Sequence, residues 1–422
     1  MKPISHQTQN RMLVLLVEDN TAVAKIVSAK LKSELGIEVH LAKSYAEAVY
    51  RMQSNQYDLA LLDLNLPDAP NGEIIEFTLA QKVKTIVLSG MIDKEFRKKM
   101  IDKEIVDYIK KGQIEDISTV VETIDQLRKN SSVKVLVVDD SFVYRKQISK
   151  MLEIISFNVL STEDPLEALE YIKSDETIKI MITDYEMPKM NGIELIRAVR
   201  KIRHSSELGI IGVSANNDDE ISALFLKNGA TDFIKKPFSK EEFNCRINNT
   251  AKMIENYDAI ITYANKDYMT GLYNRRYFYD KAPKIYEQCK KSMLPFALCM
   301  IDIDHFKSIN DTYGHDIGDL AIIKLSETLI SCTRDDDLVA RVGGEEFCIL
   351  FKNIDKEDAY AIVERIRSNI QNQSLETHKG IIQFTVSVGL QCELDISIDR
   401  MLIKADHKLY ESKNNGRNQI TL

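Results

Sequence analysis

One spacing occurs twice in this chain, and it constrains the fold more than any other feature. Leu13-Val14-Leu15-Leu16-Val17 runs into the acids Glu18-Asp19, and Val133-Lys134-Val135-Leu136-Val137-Val138 runs into Asp139-Asp140. Asp19 stands 44 residues before the lone Asp63, and Asp140 stands 44 before Asp184. Ser89 to Lys111 and Ser214 to Lys236 are both 22 residues, and only the middle interval differs, 26 against 30. Asp63, Asp184, Ser89 and Ser214 each end a short apolar run. Agreement at four separated positions indicates one fold present twice. Short apolar runs alternating with helical patterns are what a doubly wound parallel sheet requires. In such sheets the residues at the carboxyl ends of the strands gather in one crevice. There Glu18-Asp19 and Asp139-Asp140 would hold Mg2+, while Asp63 and Asp184 would attack a phosphoryl donor. Lys111 with Ser89, and Lys236 with Ser214, would then bond the new phosphate oxygens. A capping or turn role explains any one of these aspartates as well. It does not explain the whole set appearing twice.

At 422 residues the chain has room for about three domains. A hydrophobic fraction of 44% is enough for ordinary packed cores. The net charge of −8 argues against general nucleic-acid binding. No long uncharged apolar run suggests a membrane span, and Met1 to Arg11 is polar, without a signal-peptide core. All six cysteines, Cys245, Cys289, Cys299, Cys332, Cys348 and Cys392, fall late in the chain without a CxxC pair, which speaks against a disulfide or cysteine–metal framework. The expectation is a soluble, reduced, cytoplasmic protein.

A second feature lies near the other end. Val342-Gly343-Gly344-Glu345-Glu346-Phe347 sits between the apolar runs Leu338-Val339-Ala340 and Phe347-Cys348-Ile349-Leu350-Phe351. It predicts strand, tight turn, strand, with carboxylates held at the tip. Taken alone it reads equally as a solvated hairpin or as a site for a hard cation. Upstream, Phe296-Ala297-Leu298-Cys299-Met300-Ile301 ends in Asp302-Ile303-Asp304 and leads into His305-Phe306-Lys307-Ser308-Ile309-Asn310-Asp311 and Gly314-His315-Asp316-Ile317-Gly318-Asp319. A strand that ends in acids before a helix start suits phosphates and metal. Asp304 reads as structural rather than catalytic. Between the two regions, Lys240 to Ala264 has apolar residues mostly three, four or seven apart, namely Phe243, Ile247, Ala251, Ile254, Ile261 and Ala264. This predicts one helix, either packed on its own domain or pairing two chains as a short stalk.

These motifs carry two resemblances. Both N-terminal copies resemble response-regulator receiver domains. The second keeps Thr183-Asp184-Tyr185-Glu186-Met187-Pro188, Asn191-Gly192 and Lys235-Lys236-Pro237-Phe238. The first departs, with Gly112 after Lys111 and no Gly-Ala between Met91 and Asp107 to match Gly229-Ala230. The last third, opening at Asp267-Tyr268-Met269-Thr270-Gly271-Leu272-Tyr273-Asn274-Arg275-Arg276, resembles the GGDEF domain of diguanylate cyclases, with Glu345 at the third signature position. The expected fold class is α/β: two (βα)5 receivers with parallel sheets over 1–130 and 131–252, a helical linker over 253–266, and a palm-like domain with a mixed, mainly antiparallel sheet over 267–422.

The resemblance implies a phosphorylation-regulated enzyme that joins two GTP into cyclic di-GMP and releases two pyrophosphates. Asp302, the Ile303 carbonyl and Glu345 would bind Mg2+, Glu345 would help deprotonate the 3′-hydroxyl, and Glu346 would support the metal. Asn310 and Asp319 would read guanine, with His315 near the base or ribose. Lys307, Lys413 and Arg417 would meet the phosphates. Asp63 and Asp184 would take phosphate from a sensor histidine kinase. Each site holds one GTP, so catalysis implies a homodimer. Arg334-Asp335-Asp336-Asp337 looks like the family's inhibitory product site, with Arg365 contributing from the partner domain, although four charged residues in a row also read as a solvated loop. A non-catalytic cyclic di-GMP receptor and a cyclase acting on a single purine nucleotide are the alternatives. The intact glycine turn opposes the first; Asn310, Asp319 and the Arg-x-x-Asp oppose the second.

Overall fold

The computed structural model describes residues 12–90, 103–111, 114–215 and 219–422. The polar segment Met1 to Arg11, Gly112 and most of Met91 to Asp107 lie outside the described residues. The chain divides into two compact units, one ending at Asp258 and one beginning at Ala259.

The first unit contains the repeat. Strands β1 (Leu13–Val17), β2 (Glu38–Ala42), β3 (Leu59–Asp63), β4 (Lys84–Ser89) and β5 (Asp107–Lys110) form a parallel sheet in the order β2-β1-β3-β4-β5. Strands β6 (Lys134–Val138), β7 (Asn158–Thr162), β8 (Ile178–Asp184), β9 (Gly209–Ser214) and β10 (Asp232–Lys235) repeat that order as β7-β6-β8-β9-β10. The central strands are covered on both faces, which is why they read as continuously apolar runs rather than as alternating polar and apolar residues. Local chemistry fixes the helix starts. The Asn20 side chain accepts from Ala22 N at 3.0 Å, and Asn191 and Glu194 form a reciprocal capping box on the helix Gly192–Arg200. One hydrophobic cluster takes strand and helix residues from both copies, among them Leu16, Ile124, Val137 and Phe243. Polar bonds join the two copies as well: Asn130 donates to the Ile155 carbonyl at 2.9 Å, and the Lys240 ammonium to the Ile105 carbonyl at 2.5 Å.

The expected connecting helix runs unbroken from Lys240 to Asn265. Its apolar stripe divides in two. Phe243, Ile247, Ala251 and Ile254 are buried, whereas Ile260, Ile261 and Tyr263 are exposed.

The second unit is built on β11 (Tyr273–Asn274), β12 (Phe296–Ile303), β13 (Leu338–Arg341), β14 (Glu346–Lys352), β17 (Val386–Gln391) and β18 (Ile420–Thr421), in the order β11-β13-β14-β12-β17-β18. The four central strands pair antiparallel and the two outer pairs are parallel, which makes the sheet mixed and mainly antiparallel. A separate hairpin joins β15 (Leu375–Thr377) and β16 (Gly380–Ile382). Each face of the sheet carries its own core, one around Ile301, Phe347 and Leu325, the other around Met300, Phe278 and Leu409. The helix Ile398–Asn414 packs on β17 so closely that a Cβ on Gly389 would lie 2.0 Å from the Ala405 carbonyl and 2.3 Å from Leu409 N. Both obstacles are backbone and cannot rotate aside. Gly389→Ala is therefore expected to cost about 3 kcal/mol or more of stability, through forced separation of helix and strand, and urea unfolding monitored by circular dichroism measures it.

Candidate functional site

The repeated acids converge at the carboxyl ends of the parallel strands. In the first copy, Glu18 follows β1, Asp63 ends β3, and Lys111 follows β5. The Lys111 ammonium bonds Glu18 and lies 2.7 Å from Asp63 Oδ2. In the second, the Lys236 ammonium lies 2.9 Å from Asp139 Oδ2 and 2.7 Å from Asp184 Oδ1. The match extends to single backbone bonds. Asp63 accepts from Asn65 N at 3.2 Å, and Asp184 from Glu186 N at 3.1 Å. Lys111 N donates to the Ser89 carbonyl at 2.7 Å, and Lys236 N to the Ser214 carbonyl at 2.8 Å. This brings both serines, buried at the ends of β4 and β9, beside their lysines.

Burial pushes the carboxyls of Glu18 and Asp184 above the ordinary range, against the pull of Lys111 and Lys236. Burial also opposes the charge on Lys236, but Asp184 and Asp139 outweigh it and raise that ammonium. Glu18, Asp19 and Asp63 each offer an oxygen within 4.8 Å of the others, a donor set that fits a hard divalent cation. Asp19 and Asp140 are exposed.

In the second unit, the glycine turn joins β13 to β14 as an antiparallel hairpin, with Glu345 at its end and Glu346 as the first residue of β14. The β12–β14 register sets Asp302 opposite Glu346, and Ile303 N donates to the Glu345 carbonyl at 3.4 Å. Lys413, from the last helix, reaches the buried Asp302 at 2.8 Å. The structure thus brings this lysine, expected at phosphates, directly onto an acid expected at metal. Burial pushes the Asp302 carboxyl up to about 6; Lys413 pulls it down, while Glu345 and Glu346 push it further up. A pocket with three acids and one ammonium lacks positive charge, and a divalent cation fits that deficit.

Asn310 lies on the helix Phe306–Tyr313, and its Oδ1 is buried without a hydrogen-bond partner. A Cβ on Gly318, in the helix His315–Cys332, would sit 1.9 Å from that oxygen, so a larger residue there would have to push the Asn310 side chain aside. Asp319 follows on that helix and is exposed, as are His315, Lys307 and Arg417. Asp304 is buried and accepts from Ser387 Oγ at 2.6 Å, Thr385 Oγ1 at 2.7 Å and Asn418 N at 3.0 Å. It ties β12 to β17 and to the tail, the structural role expected of it.

The Arg334–Asp337 segment is a tight turn. Asp337 is buried and its Oδ2 accepts from Arg334 N at 2.9 Å, while the Arg334 side chain is exposed. Arg365, from the helix Lys356–Asn372, donates to the Cys332 carbonyl of the same chain at 2.9 Å, beside that turn. Sequence reasoning missed Arg341. Its guanidinium donates to the Gly344 carbonyl at 2.7 and 3.0 Å and to Asp267 Oδ1 at 3.1 Å, clamping the glycine turn to the start of the domain. A lone basic residue ending an apolar strand just before a Gly-Gly turn was the available signal.

Among the described residues, no helix is long and apolar enough to cross a membrane. Residues 14–122 and 135–248 match the family "Response regulator receiver domain", and residues 264–419 match "Diguanylate cyclase, GGDEF domain". The response regulator PleD of Caulobacter vibrioides is 25% identical over 455 residues, spanning 96% of this chain and 98% of its own. Diguanylate cyclase DgcM of Escherichia coli is 41% identical over 158 residues, 37% of this chain and 38% of that protein. A solved two-component system response regulator/GGDEF domain protein is 30% identical with a TM-score of 0.53, covering 58% of this chain and 99% of that one. The chain therefore belongs to the response-regulator family and joins two receiver domains to a diguanylate cyclase domain of the GGDEF family.

Proposed function

We propose that this diguanylate cyclase condenses two GTP molecules into cyclic di-GMP under the control of phosphorylation at its receivers. The observation that carries the catalytic part is the buried Asp302, held by Lys413, raised to about 6 and faced by Glu345 and Glu346. Mg2+ held by Asp302, the Ile303 carbonyl and Glu345 would neutralise phosphate charge there. Glu345 takes the proton of the 3′-hydroxyl, whose oxygen attacks the α-phosphorus of the second GTP, and pyrophosphate leaves. Lys307, Lys413 and Arg417 counter the phosphate charge, and Glu346 supports Glu345 at the metal. Asn310 Oδ1, lacking a protein donor, accepts from a guanine N–H, Asp319 takes another part of that edge, and His315 lies beside the base or ribose.

Each domain offers one such site, and ring closure needs two facing sites, so the working form is a symmetric homodimer. A sensor histidine kinase supplies phosphate to Asp63, Asp184 or both, with Mg2+ at Glu18-Asp19 and Asp139-Asp140. Ser89, Lys111, Ser214 and Lys236 read the phosphate. Dimerising receivers would raise the effective concentration of one cyclase site at the other. Cyclic di-GMP binding at Arg334 and Asp337, with Arg365 nearby, would brake the enzyme.

Incubation with GTP and Mg2+ should yield cyclic di-GMP, and Glu345→Gln should lower turnover about a thousandfold with GTP binding largely kept; a linear or mononucleotide cyclic product would overturn the reading. Beryllofluoride, a phosphoryl mimic, should raise both the dimer fraction and the turnover, measured by light scattering and product formation. If it changes neither, receiver control fails. Arg334→Ala should keep basal activity and shift product inhibition to about 30-fold higher cyclic di-GMP, the loss of one bidentate guanine contact. Inhibition at the original concentration would rule the site out.

A further inference from the structure

We propose that Tyr144 is a positioning residue of the second receiver: its ring seats Lys236 and closes the pocket, so that an acyl phosphate on Asp184 outlives one on Asp63. This rests on the reading of both aspartates as phosphate acceptors.

The Lys236 ammonium lies 4.0 Å from the centroid of the Tyr144 ring. Two of its three N–H groups are directed at Asp139 and Asp184. The aromatic face covers a further side, where a cation is attracted by the ring quadrupole. The ring is itself held in place. Tyr144 lies in the first turn of the helix Phe142–Ile154, and the next residue, Arg145, donates from Nη1 to the Asp139 carbonyl at 2.6 Å. That bond fixes the helix start to the acid pair, and Tyr144 with it.

Among the described residues, the first receiver has no ring over its lysine. Tyr144 stands four residues after Asp140, and the residue four after Asp19 is Val23, which has no ring. The side chain of Lys111 is 20% exposed, that of Lys236 only 5%. Two copies with the same acids and the same lysine thus differ in how tightly the lysine is enclosed.

The consequence concerns hydrolysis. Water adds to phosphorus in line with the bond to Asp184; that phosphorus–oxygen bond breaks, the carboxylate returns, inorganic phosphate leaves and a proton passes to solvent. With phosphate on Asp184, the Lys236 ammonium bonds a phosphoryl oxygen. The ring keeps it from swinging out and screens its side of the pocket from water.

The test uses the full chain with one acceptor removed at a time, phosphorylated by acetyl phosphate with Mg2+. After donor removal, loss of protein-bound phosphate is followed on phosphate-affinity gels. Phosphate on Asp184 in the Asp63→Asn chain should decay more slowly than phosphate on Asp63 in the Asp184→Asn chain. Tyr144→Leu should speed Asp184 decay roughly fivefold, the rate equivalent of about 1 kcal/mol. Tyr144→Phe, which keeps the ring, should restore the slow decay, a rescue that a purely structural role of the hydroxyl would not give. Should Tyr144→Leu melt early, Tyr144→Met carries the same comparison. No incorporation into the Asp63→Asn chain would sink the acceptor reading of Asp184 and this inference with it. Incorporation followed by equal decay in the Tyr, Leu and Phe chains would sink this inference alone.

Discussion

An ammonium held among buried carboxylates is the interaction on which each site in this chain depends. Lys111 sits between Glu18 and Asp63, Lys236 between Asp139 and Asp184, and Lys413 against Asp302. Taking these charges out of water costs several kcal/mol per ion, and short charge-assisted bonds offset only part of it. The residue of that cost is visible in the acids: burial is the largest cause of the raised carboxyls of Glu18, Asp184 and Asp302. Every pocket holds more acid than base. Each is therefore poised to respond to added positive charge or to a group that rearranges the existing pair.

Two different sheets arrive at this arrangement by different routes. In a parallel sheet, all strands point the same way, so Asp63 and Lys111, or Asp184 and Lys236, meet because each sits at or just past a strand end. The antiparallel β12 and β14 run in opposite directions, and there the acids meet by cross-strand register, Asp302 opposite Glu346, across a two-glycine turn. Lys413 is delivered from a helix far along the chain, which Gly389 allows to lie against β17.

This difference explains what could be read in advance. The equal 44- and 22-residue intervals were legible because a strand–helix–strand unit of fixed size separates one strand end from the next, and the doubly wound parallel sheet followed from it. The glycine turn was legible because Gly-Gly between apolar runs has few other uses. The partners of these residues were not. Arg341 clamps Gly344 to Asp267, 74 residues back in sequence; its place before the Gly-Gly turn marks it, but the partner so far away does not show in the sequence. The Oδ2 of Asp337, proposed as a ligand for product, also accepts from the backbone of Arg334 and closes the turn that presents the arginine. Tyr144 belongs to no motif; its place over Lys236 appears only once helix and strand are packed.

Asn310 shows how an absent partner can itself carry information. A buried acceptor without a donor costs about 1–3 kcal/mol, and within the second unit Asn310 Oδ1 is one of two such atoms among the described residues, with Gln373 Oε1. Beside Asn310 stands Gly318, at the end of the first turn of the helix His315–Cys332. An alanine there would place its Cβ 1.9 Å from the Asn310 oxygen and displace that side chain. The glycine thus leaves room for an acceptor that no protein donor satisfies among the described residues. Such an unsatisfied acceptor is expected where a ligand supplies what the protein withholds, which supports the guanine-reading role proposed for Asn310.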